Sequence, residues 1–72
     1  MAAQSNELIA LLVRTLLEYH GVGRDLTQTA AALGVHRSTV RYRLYCIGEL
    51  TGLSPDDPRA IDALRDIAGP HR

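Results

Sequence analysis

The stretch Leu26–Leu44, LTQTAAALGVHRSTVRYRL, constrains this chain more than any other. Two short runs with helical apolar spacing meet there at Gly34-Val35-His36. A turn of three residues makes the flanking helices cross steeply and touch. Contact at the crossing needs a small residue midway along the first helix, and Ala30 supplies it. The turn needs positive φ, which Gly34 adopts without a Cβ penalty. Val35 follows to plug the angle, and Val40 and Leu44 give the second helix an apolar face toward the first. These requirements, met together at the right spacing, predict a helix-turn-helix over about residues 25–51.

The rest of the chain reads as helical too. From about Glu7 to about Tyr19, Leu8, Leu12, Leu16 and Tyr19 form an apolar stripe, widened by Ile9, Val13 and Leu17. Ser5 or Asn6 can cap its start, and Gly21 and Gly23 stop it. Asp25 can cap the next helix, with Gln28 three residues on in a capping-box-like pattern. Leu26, Ala30 and Leu33 form its buried edge, and Gly34 ends it. The third helix runs from about Arg37 to about Thr51, with Val40, Leu44, Ile47 and Thr51 inward and Gly52 as its C-terminal cap. Gly48 inside it implies close packing of a neighbour. A last helix, about residues 58–68, follows the Asp57 cap and Pro58. It turns Ile61, Leu64 and Ile67 inward and ends at Gly69-Pro70. The fold class is therefore all-α, four helices in a single domain spanning residues 1–72.

Size and composition exclude several functions. A chain of 72 residues has little room for both a core and an enclosed substrate pocket, so no enzyme is expected. The single Cys46 forms no internal disulfide, and no Cys/His spacing suits zinc. No metal, cofactor or small-molecule site is expected. The apolar run Leu8–Leu17 is interrupted by Arg14 and too short for a bilayer. No cleavage-like signal follows it, and a cytoplasmic location is expected.

Formal charge is zero, which by itself disfavours a nucleic-acid partner. The distribution reverses that reading. No acid lies between Asp25 and Glu49, and Arg37, Arg41 and Arg43 stand together inside that window. With Val40, Leu44 and Ile47 inward, the outward face of the third helix holds Ser38, Arg41, Tyr42 and Tyr45. Arg37 and Ser38 sit at its N-terminal end, the end that enters the major groove of duplex DNA. Arginine can bond guanine O6 and N7 in bidentate fashion. Ser38 and Thr39 can serve base or phosphate, and Tyr42 and Arg43 suit phosphate oxygens. Thr27 and Gln28 open the preceding helix, whose free N–H groups also attract phosphate.

VHRSTVRYRL, with LTQTAAALG before it and IGELTGL and DDP after it, resembles the C-terminal helix-turn-helix domain of PucR/CdaR-type bacterial transcriptional regulators, itself similar to the Fis-type DNA-binding fold. The resemblance runs from about Leu11 to about Ile67. It implies that Arg37, Ser38, Thr39, Arg41 and Tyr42 fall on DNA-contacting positions. It also implies a domain carried at the end of a longer chain with a ligand-responding N-terminal part. The family often places two basic residues and a glutamate where this chain has Tyr45, Cys46 and Gly48, so two phosphate contacts are missing here.

Several residues have plainer readings. Tyr42 and Tyr45 either pack against the first or last helix or contact DNA. His36 reads as the cap of the third helix, His20 and His71 as surface residues, and Cys46 as a half-buried small hydrophobe. Asp56 and Asp57 read as turn and cap residues. The expected function is sequence-specific binding of duplex DNA through a major-groove recognition helix, as a homodimer on paired half-sites. Leu11, Val13 and Leu17 of the first helix would supply the dimer contact. The alternative is a helix-turn-helix used only as a protein-interaction or oligomerisation module.

Overall fold

Local capping chemistry divides the chain into four helices. In a computed structural model, which describes residues 2–68, they are α1 (Ala2–Gly21), α2 (Leu26–Leu33), α3 (Arg37–Thr51) and α4 (Arg59–Ala68). No strand occurs among the described residues. The expected stop at Gly69-Pro70 and the surface residue His71 lie outside the described residues.

The helix-turn-helix begins where Asp25 takes an extended backbone and its carboxylate accepts the Gln28 N–H at 2.8 Å. It turns at Gly34, whose φ of 71° is left-handed. The Gly34 N–H caps the open carbonyls of α2, and Val35 N–H donates to Ala30 O at 3.0 Å. His36 then starts α3 through its ring: Nδ1 accepts the Ser38 N–H at 3.1 Å. Gly52, also left-handed, ends α3. The last cap is Asp57, which accepts the Arg59 N–H at 2.9 Å. Pro58 follows that cap directly, as expected of a proline at a helix start, and α4 runs on from Arg59.

Helix α1 packs against the other three, and α3 packs against α2 and α4. Their meeting point is an aliphatic core of Ile9, Leu12, Leu16, Ala30, Val40, Leu44, Ile47, Ala60 and Leu64. Each large side chain buried there contributes about 1.5–3 kcal/mol. Helix α3 has the expected phase, and Val35 seals the turn against the core. Two buried threonines pair within their own helices. Thr15 donates to Leu11 O at 2.8 Å and Thr29 to Asp25 O at 2.7 Å, so neither hydroxyl is orphaned.

Four expectations are corrected. Helix α1 extends back to Ala2, so Ser5 and Asn6 lie inside it and do not cap it. Its buried stripe is Ile9, Leu12, Thr15 and Leu16, while Leu8 is 53% and Leu17 45% exposed. The run ELIALLVRTLL is apolar on several faces, so packing partners and not periodicity select the face. Ile67 of α4 is exposed and Ala60 is buried in the core instead, because the interface with α1 and α3 runs along Ala60 and Leu64. Gly48 has no steric requirement for glycine, since an added Cβ would meet only Leu53 O, at an ordinary 3.7 Å.

The end of α1 is clasped to the loop before α4. The Tyr19 hydroxyl donates to Asp56 Oδ1 at 2.8 Å, and His20 Nε2 lies 2.8 Å from Pro55 O. A carbonyl only accepts, so His20 carries its proton on Nε2 and is half-buried here, not a plain surface residue. Burial first, and then the bond to Asp56, raises the Tyr19 phenol above its ordinary pKa. This clasp fixes the α4 side of the frame on which α3 is held.

Candidate nucleic-acid interface

Burying Val40, Leu44 and Ile47 leaves the opposite face of α3 in solvent. Ser38, Arg41, Tyr42 and Tyr45 are exposed on it, and Arg37 is exposed at the first position of the helix. Ser38, Arg41, Tyr42 and Tyr45 follow the i, i+3, i+4, i+7 spacing of one helical stripe, about 10 Å long. Glu49 continues that face beyond Tyr45 and is the only acid of α3. Tyr42 is 66% and Tyr45 63% exposed, so Tyr45 does not pack into the first or last helix. Among the described residues, no ion pair engages Arg37 or Arg41. Their guanidinium donors are free for a partner.

The His36 cap also sets the hydrogen-bond sense of Ser38. Nδ1 receives a backbone N–H, so it carries no proton. The Ser38 hydroxyl, 2.9 Å from the same nitrogen, must therefore donate to it. Its lone pairs are left outward, and Ser38 presents an acceptor to whatever meets the start of α3. Tyr42 presents a donor. Hydrogen bonding to the Cys46 side chain one turn on is the main cause that raises its phenol above the ordinary pKa.

The remaining site residues stand off this stripe. Thr39 is half-buried. Arg43, read from sequence as a phosphate ligand, is half-buried and donates from Nη1 to Thr15 Oγ1 of α1 at 3.3 Å. A guanidinium has five N–H donors, so the bond ties α3 to α1 and leaves others open. Sequence reasoning missed this bond because its partners lie 28 residues apart. Thr27 and Gln28 are exposed on the first turn of α2, but the Gln28 N–H is already taken by Asp25. Cys46 is half-buried, as its position between the two faces suggests.

An open groove of about 430 Å³ runs beside the stripe, between α3 and the loop after it, with Arg41, Tyr45, Glu49 and Leu53 among its walls. Among the described residues no three His, Cys, Asp or Glu side chains gather as a metal site would require. No helix among them is long and apolar enough to cross a membrane.

The family model for the PucR C-terminal helix-turn-helix domain matches residues 12–65. The transcriptional activator PmfR of Paenarthrobacter nicotinovorans is 44% identical over 50 residues, which are 69% of this chain and 11% of that protein. An uncharacterised protein of Mycobacterium tuberculosis and one of Mycobacterium bovis are each 42% identical over 57 residues, 79% of this chain and 14% of theirs. The chain thus spans only a small part of the length of these curated relatives. No solved structure matches it.

Proposed function

This chain belongs to the PucR C-terminal helix-turn-helix domain family, and we propose that it binds duplex DNA sequence-specifically, laying α3 in the major groove as part of a bacterial transcriptional regulator. The observation that carries the reading is the exposed stripe of α3, with Arg41 in it, Arg37 at the helix's first position, neither in an ion pair among the described residues, and no acid before Glu49. The major groove is about 12 Å wide and admits one helix. In this reading Arg37 and Arg41 reach guanine edges, and Ser38 accepts from a base amino group. Tyr42, Thr39, Thr27, Gln28 and the free donors of Arg43 hold phosphates. The domain works in the cytoplasm and carries no catalytic step.

Homodimerisation on paired half-sites belongs to the same proposal. Leu8, Leu11, Arg14 and Leu17 succeed one another at three-residue steps and are all exposed, forming a ridge along α1. Such a ridge packs into the groove of a second helix. Val13 turns toward the core and takes no part in it.

The test is selection from a random duplex library, then titration of selected and scrambled duplexes at two salt concentrations. Arg37→Ala or Arg41→Ala should cost about 1–3 kcal/mol on the selected site and relax choice at one position. Each phosphate contact removed should flatten the salt dependence by about one unit of slope on both duplexes. A parent protein that enriches no sequence, with arginine variants that bind like it, refutes the reading and leaves α3 as a face for protein partners.

A further inference from the structure

Tyr45 is the one member of the exposed stripe to which the proposed function assigns no contact. Its ring is 63% exposed, and among the described residues no hydrogen bond holds its hydroxyl. It completes the stripe begun by Ser38, Arg41 and Tyr42, two helical turns from Ser38. Recognition helices that lie along the major groove can read it with an i, i+3, i+4, i+7 set of this same length.

Two kinds of contact are open to a tyrosine there: its hydroxyl on a phosphate, or its ring on a base. The next residue on the same face, at i+4, is the exposed Glu49. A phosphate at the Tyr45 hydroxyl would lie between the Glu49 carboxylate, which repels it at short range, and Arg41 at i−4, whose guanidinium is engaged at a guanine edge in the proposed reading. A base edge carries no net charge and meets no such penalty. The apolar group that the major groove offers to a ring is the 5-methyl of thymine. We infer that Tyr45 is a specificity-determining residue whose ring packs against the 5-methyl group of a thymine in the bound half-site. This rests on the DNA-reading function proposed above.

The contact predicts a separation of ring from hydroxyl. On a selected duplex, replacing each thymine in turn by deoxyuridine removes one methyl group and no hydrogen bond. For the parent, one such replacement should weaken binding about fourfold, the worth of one buried methyl group. Tyr45→Phe keeps the ring and should bind and discriminate like the parent. Tyr45→Ala should bind the thymine duplex at least fourfold more weakly and no longer distinguish it from the deoxyuridine duplex. Circular dichroism of both variants should match the parent, because most of the side chain is in solvent.

Three results overturn the inference while leaving DNA reading intact. The first is a parent indifferent to every thymine methyl. The second is a Tyr45→Ala variant that still senses the methyl. The third is a Tyr45→Phe variant weakened equally on selected and scrambled duplexes, which marks a phosphate contact. A parent that cannot tell selected from scrambled duplex overturns the DNA-reading function itself, and the inference with it.

Discussion

Two glycines of the reading unit should respond to alanine in opposite directions. Gly34 holds the turn at φ 71°, ψ 33°, and an added Cβ there would meet nothing within 4 Å. The cost of Gly34→Ala is therefore conformational and not steric, about 1–2 kcal/mol for a left-handed L-residue. Alanine also stiffens the unfolded chain, which returns about 0.4–1 kcal/mol. The net is a loss of about 1 kcal/mol. Gly48 lies inside α3, where its Cβ would sit 3.7 Å from Leu53 O, an ordinary contact. Gly48→Ala recovers helix propensity of about 0.8–1 kcal/mol. In a domain this small, 1 kcal/mol moves the melting temperature by about 4–8 °C. Thermal unfolding followed by circular dichroism should thus show Gly34→Ala below the parent and Gly48→Ala above it. Gly34→Asn should fall nearer the parent than alanine does, because asparagine tolerates the left-handed region better. A Gly34→Ala variant as stable as the parent, or a destabilised Gly48→Ala, would refute the reasoning.

Val40 is fully buried where α2 and α3 cross, so Val40→Asp should abolish cooperative melting and not merely weaken DNA binding; unchanged helicity would contradict the packing. A double-mutant cycle of Thr15→Val with Arg43→Ala, read by denaturant unfolding, should return a coupling of about 0.5–1 kcal/mol, and a value near zero would remove the α1–α3 tie. The Arg59 guanidinium, 2.7 Å from Asp57, holds the Asp57 carboxyl below its ordinary pKa, chiefly by hydrogen bonding. Its stabilising share is fully present above the unfolded value of about 3.9 and is lost as pH falls through the lowered folded value. Asp57→Asn should therefore show a shallower loss of melting temperature on acidification, and identical pH profiles would exclude the pair as a contributor.

The helix-turn-helix was legible in the sequence because its determinants are local. Asp25 bonds Gln28 and His36 bonds Ser38, while Gly34 needs only its own backbone angle; each contact closes within three residues. The outward stripe of α3 was legible for the same reason, since Val40, Leu44 and Ile47 at helical spacing fix the phase of that helix. The tertiary structure decided what such signals leave open. Helix α1 is apolar on several faces, and its partners chose Ile9, Leu12, Thr15 and Leu16 for burial over Leu8 and Leu17. Thr15, invisible to a hydrophobic pattern, became the acceptor for Arg43, and Tyr19 and His20 found Asp56 and Pro55 more than thirty residues away. Tyr45 could have packed or projected, and with no helix among the described residues covering that face it projects. A short-range hydrogen bond is specified by the residues beside it, whereas the buried face of an all-round apolar helix is fixed only when a second surface arrives to exclude water from it.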